Sequence, residues 1–184
     1  AFFGAQSFLT LMLVEARGLD AVITGVTLTV GSVGWMAGAL LQTQSWLRWR
    51  RDQMIVVGVT GITVGVAVLA VAAWFPQSWL GLVMISWIIA GFGMGLQNPS
   101  TSLAVMQLSD DAELGRNTSS LQVGESLGSS LFTGLAGAWF AHFHEIADLS
   151  FTFGGLMVGM VFVGLIAVLV ANRIGPVPTG VGED

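Results

Sequence analysis

The sequence predicts an all-α membrane protein with six transmembrane helices, and three observations carry that prediction. Six long apolar stretches, separated by short polar breaks, fill nearly all of its 184 residues. Only 9% of the side chains are charged against 54% hydrophobic, whereas a soluble domain carries about 25% charged residues as a polar skin. The arginines alternate in side. Arg48, Arg50 and Arg51 follow the second stretch, Arg116 the fourth and Arg173 the sixth, and the other side has only Arg17. Five against one in short loops is the asymmetry left when cytoplasmic loops retain positive charge. The expected topology therefore puts both ends of the chain on the cytoplasmic side of a plasma (inner) membrane.

A spanning helix needs about 20 apolar residues. The first stretch, 1–14, reaches Glu15 after about 21 Å of helix, short of the about 30 Å hydrocarbon core. It reads as a cut helix, and the chain as the carboxyl-terminal portion of a longer membrane protein. Asp20 is placed to cap a second helix over 21–43. The arginine-rich loop follows, then a third helix over 54–75, and Pro76-Gln77-Ser78 makes an outer turn. The fourth helix, 79–107, is the longest, and Pro99 should kink it. An acidic inner loop with Asp110, Asp111 and Glu113 leads to a fifth helix over 117–140 and a sixth over 150–171. The membrane bundle is expected to occupy 1–174. The Pro- and Gly-rich tail 175–184 is expected to be a disordered cytoplasmic segment.

Several function classes fall away on composition. No basic patch extends beyond Arg48–Arg51, so nucleic acid is not an expected partner. Cysteine is absent, which removes disulfides and thiolate metal sites. His142 and His144 lie near Glu145 and Asp148, but an exposed loop explains them better than a metal site. Gly124-Glu125-Ser126-Leu127-Gly128 fits G-x-S-x-G, yet that hydrolase pattern needs a strand-to-helix elbow, and here it falls inside a helix. Asn117-Thr118-Ser119 fits a glycosylation sequon on the wrong side of the membrane. No enzyme activity, cofactor or metal is expected.

Glycine placement and polarity then sort the helices. Gly34/Gly38, Gly61/Gly65, Gly91/Gly95, Gly124/Gly128 and Gly155/Gly159 each sit four apart, the spacing that lets helices in lipid approach and pack. On the fifth helix Thr118, Gln122, Glu125, Ser126, Ser129 and Thr133 share one side at 100° per residue, with leucines opposite. The fourth helix puts Gly91, Gly95, Asn98 and Ser102 on one face, and the first offers Gln6, Ser7 and Thr10. Lipid satisfies no hydrogen bonds, so these stripes must face water, a cavity or another helix. The first, fourth and fifth helices are thus expected to face inward. The third and sixth, nearly devoid of polar side chains, are expected on the outside, facing lipid nearly all round.

Gly91-Phe92-Gly93-Met94-Gly95 with Pro99 and Leu114-Gly115-Arg116, and Gly124-Glu125-Ser126-Leu127-Gly128 with Gly134 and Gly137, resemble the tenth and eleventh helices of the major facilitator superfamily. Arg17-Gly18-Leu19-Asp20 followed by Gly25 is similar to its seventh-to-eighth connection. The resemblance covers essentially the whole chain as the carboxyl-terminal six-helix half, in a style like bacterial drug-efflux antiporters. The family's loop signature is degenerate here: after Gly38, Gln42 takes the acidic place and the arginines are displaced to Arg48, Arg50 and Arg51. The resemblance implies secondary transport of a small solute by alternating access, with proton-coupled efflux as one form. It also implies a partner amino-terminal half and a site between the halves near the midplane.

Glu125 is the proton-coupling candidate. A charge near the bilayer centre costs about 2.5–3.5 kcal/mol on insertion scales, so a retained carboxylate calls for a use, although a wet vestibule or an arginine of the missing half could also accommodate it. Gln6, Thr10, Met94, Asn98, Gln122, Ser126 and Ser129 are the substrate-path candidates. For Gln97, Asn98 and Gln122, bonding between helices is an equal alternative; for Met94, Phe3 and Trp87, packing is the stronger one. Gly34, Gly38, Gly91, Gly95, Gly124 and Gly128 are the helix-packing candidates. The competing reading is a non-transporting fragment or accessory half that needs a partner.

Overall fold

The computed structural model describes residues 2–44 and 46–177. They form six helices: α1 (Phe2–Glu15), α2 (Ala21–Leu41), α3 (Arg51–Trp74), α4 (Leu80–Leu108), α5 (Leu114–Phe143) and α6 (Leu149–Ala171). Every expected helix is present. Four of them, α2, α3, α4 and α6, are long and apolar enough to cross a membrane, the mark of a multi-pass α-helical membrane protein. The other two differ from the expected six spans for separate reasons. With 14 residues, α1 is too short, and α5 has the length but its polar stripe lowers its hydropathy.

At the second helix's start, the Asp20 carboxylate accepts the Ile23 N–H at 2.8 Å, as a cap should. Just before it, Gly18 supplies the positive φ of 63° that turns the chain out of α1. Arg17 then fastens this connection to the end of α3 and the α3–α4 turn. Its guanidinium donates to the carbonyl oxygens of Ser78 and Ala72, each at 2.8 Å, and to Ser78 Oγ at 2.7 Å. Partial burial holds the Arg17 pKa below its ordinary value, and these acceptors offset the lost hydration.

The packing is built on α4, which lies against both α2 and α3, with α3 in turn against α6. A Cβ on Gly91 would collide with the Gly31 carbonyl, and one on Gly95 with that of Trp35. On the facing helix, Gly34 and Gly38 meet the carbonyls of Ile88 and Phe92. Gly93 occupies another face of α4 and meets the Gly58 carbonyl of α3. A Cβ on Gly65 would lie 2.6 Å from the Ser86 carbonyl oxygen. In lipid, where apolar side chains gain little by leaving their solvent, such backbone approach is what holds helices together.

Pro99 lies inside α4, which continues through it to Leu108. Proline has no N–H, so the Gly95 carbonyl four residues back loses its helical partner. The Gln42 side chain fills that vacancy: its Nε2 donates to the Gly95 oxygen at 2.6 Å. Gln42 Oε1 accepts in turn from Ser100 Oγ at 2.8 Å. Gln42 therefore completes the α4 backbone.

Two expectations need correction. The third helix does not face lipid nearly all round. Its glycines admit α4, it buries residues along its whole length, and only one ridge, including Val57, Val64 and Val71, is exposed. The tail does not begin as disordered chain at Gly175. Val177 is 1% exposed against Ile55, Ala104 and Ala171. Its N–H donates to Asp52 Oδ1 at 3.0 Å, and its carbonyl accepts the Arg51 N–H at 3.1 Å. Residues 178–184, the rest of that expected segment, lie outside the described residues.

A candidate solute cavity beside Glu125

A cavity of about 280 Å³ lies among five of the helices, and Glu125 is part of its wall. From α5 it receives Glu125, Ser129 and Phe132, with Gly124 and Gly128 beside them; from α4, Met94, Gln97 and Asn98; from α1, Phe2 and Phe3. Most of the surface is apolar and aromatic. The polar groups gather on α4 and α5, an arrangement typical of small-molecule sites.

The amide of Gln97 donates to Thr101 Oγ1 at 3.0 Å, one turn along its own helix. The Asn98 carbonyl accepts from Ser102 Oγ at 3.3 Å. Neither bond ties α4 to a neighbouring helix. Met94 is buried, while Glu125 is exposed and Phe3 is 43% exposed. The carboxylate thus stands at an open side of the cavity.

Four of the eight residues singled out for coupling and substrate path meet here: Glu125, Met94, Asn98 and Ser129. Gln122 and Ser126 lie on the same side of α5 but are exposed outside the cavity wall. On α1, Thr10 is exposed and Gln6 half-buried, and neither reaches the cavity. Trp87 is a packing residue: it is 2% exposed, stacks on Phe2 at 4.9 Å and covers Gly31. Among the packing glycines, Gly34, Gly38, Gly91 and Gly95 meet facing backbone, whereas Gly124 and Gly128 have no atom within 4 Å of where a Cβ would stand. Those two border the cavity and join no helix pair. Gly155 receives the Trp139 ring, and Gly159 meets nothing.

Polarity sorting missed the contributions of α3 and α6. Val59, Ile62 and Thr63 come from the former and Gly164 and Ala167 from the latter. The available signal was the small-residue pair Gly164/Ala167: a Cβ on Gly164 would approach Thr63 Oγ1 to 2.7 Å. An apolar helix with a small-residue face has one side for a neighbour, not none.

At the far end, α5 is pinned by aromatics. Trp139 Nε1 donates to the Thr152 carbonyl at 2.9 Å, and its ring packs on Phe143 at 4.2 Å between centroids. Nearby, His144 Nδ1 lies 3.7 Å from a Glu15 carboxylate oxygen. His142, Glu145 and Asp148 do not join them, and no cluster of three metal-ligating side chains occurs among the described residues.

No protein-family model, curated protein or solved structure matches the chain.

Proposed function

We propose that this chain forms one six-helix half of a secondary transporter of the major facilitator type, moving a small solute by alternating access. The observation that carries the reading is Glu125, a carboxylate set in the wall of a largely apolar cavity whose other walls include three helices suited to lipid, α3, α4 and α6. Charge inside a membrane protein is retained where it faces a water-filled path or a coupling site. In this reading α1 and α5 complete the set of six spans within the assembled protein, where an amino-terminal half faces the polar side of α5 across a water-filled path. The arginine-bearing ends face the cytoplasm of an inner membrane. Glu125 takes up and releases a proton as the cavity alternates, while Asn98 and Ser129 offer hydrogen bonds to the solute and Met94 and Phe3 offer apolar surface. The chain acts as a carrier and not as an enzyme.

A second reading is favoured by the uncovered side of α5: an accessory half that carries nothing until a partner half docks on Gln122 and Ser126. One assay bears on both. In proteoliposomes containing the intact protein, solute-dependent proton flux is expected, and Glu125→Gln should abolish its pH dependence. A pH dependence unchanged in Glu125→Gln removes Glu125 from the mechanism. Flux that appears only when a separate six-helix partner is added favours the accessory half.

A further inference from the structure

A second cavity, of about 420 Å³, opens between the first turns of α3 and the end of α6, away from Glu125. Val56, Val57 and Ala171 give it apolar walls, and Gln53 and Asn172 give it a polar end. Trp49, 40% exposed, reaches it from the α2–α3 loop. Four of the chain's six cationic residues, Arg48, Arg50, Arg51 and Arg173, lie in the segments that border it. The one acid that lines the groove, Asp52, is already engaged. Asp52 Oδ1 accepts from Arg50 Nε and from the Val177 N–H, both at 3.0 Å, and Oδ2 accepts from Arg50 at 2.6 Å. Arg48 and Arg173 are exposed, each next in sequence to a residue of the groove wall, Trp49 and Asn172.

These features fit an amphiphile with an anionic head. The valines lie on a helix long and apolar enough to cross the bilayer, so the apolar walls continue toward hydrocarbon. The Trp49 indole suits the headgroup level, where amphipathic rings collect. Exposed arginines at that level attract anionic lipid, each strengthening the attraction about fivefold. We propose that this groove binds an anionic glycerophospholipid, with its phosphodiester between Arg48 and Arg173 and an acyl chain along Val56 and Val57. The inference rests on the membrane character of the chain and not on transport.

The test uses the whole chain in detergent, titrated separately with dioleoylphosphatidylglycerol and dioleoylphosphatidylcholine, with retained lipid counted by native mass spectrometry. The anionic lipid should be retained at least about fivefold better, and Arg48→Gln and Arg173→Gln should each weaken it about fivefold. Val57→Trp, which fills the groove from an exposed ridge, should remove the preference without changing the unfolding temperature. Arg116→Gln, in the first turn of α5, should leave it intact. Soluble glycerophosphoglycerol, which lacks acyl chains, should not displace the lipid. Equal retention of the two lipids overturns the proposal, as does a preference that survives the Arg48/Arg173 double substitution. Displacement by the soluble headgroup also overturns it, because the apolar walls would then contribute nothing.

Discussion

Helices α4 and α5 are almost equal in length, 29 and 30 residues, and each carries a glycine pair four apart. Yet α4 buries eleven residues and α5 only Ala136. The difference lies in what stands opposite the glycines. Gly91 and Gly95 press against the backbone of α2, with Gly93 against α3, so each missing side chain becomes a helix contact. Gly124 and Gly128 look onto the cavity beside Glu125, so their missing side chains become space. The same spacing therefore serves cohesion on one helix and volume on the other.

The sharpest way to break this contrast is to fill both kinds of glycine. Gly95→Leu would drive a side chain into the Trp35 carbonyl, and overpacking against backbone should destabilise by more than about 3 kcal/mol. The expected readout is loss of the folded protein, or a large fall in unfolding temperature, in detergent. Gly128→Leu should leave stability within about 0.5 kcal/mol while reducing transport by occupying the cavity. Equal damage from the two would mean that α5 packs as tightly as α4.

Next in size is the proline repair. Gln42→Leu leaves the Gly95 carbonyl without a donor, which should cost about 1–3 kcal/mol. Adding Pro99→Ala restores a backbone N–H to that carbonyl, so the double variant should recover most of the loss in thermal unfolding. No recovery would show that Gln42 acts through something other than Gly95.

At the opposite end of the packed layer, Arg17→Met removes three hydrogen bonds, one to Ala72 at the end of α3 and two to Ser78 in the α3–α4 turn. Partial exposure limits the effect to about 1 kcal/mol, measurable as faster proteolysis near Ser78. The smallest effect has the opposite sign. Gly124→Ala should stabilise α5 by about 0.5–1 kcal/mol, since alanine loses less backbone entropy in a helix. Gly91→Ala, facing the Gly31 carbonyl, should destabilise.

Much of this architecture is legible in the sequence. The apolar runs and the Asp20 cap located the helices, because both signals are local. The gathering of Asn98, Glu125 and Ser129 was also within reach, since helical periodicity places them on polar faces of the fourth and fifth helices. Two things were not. Polarity said only that the third helix has little to hydrogen-bond, and it could not distinguish a lipid face from a glycine-lined helix contact. Nor could spacing alone separate Gly91/Gly95 from Gly124/Gly128, because that distinction belongs to the neighbour. Gln42 lay hidden for a related reason: its partner is a carbonyl orphaned by a proline 57 residues further along the chain.

The absence of native cysteine permits a direct test of the central claim that the Glu125 side of α5 faces a water-filled path. Single cysteines at Gln122, Ser126, Ser129, Leu127 and Leu131 would be exposed to a membrane-impermeant maleimide in intact membranes. Rapid labelling at the first three, with the two leucine positions protected by lipid, is the predicted pattern. Labelling of Leu127 and Leu131 as fast as Ser126 and Ser129 would contradict it.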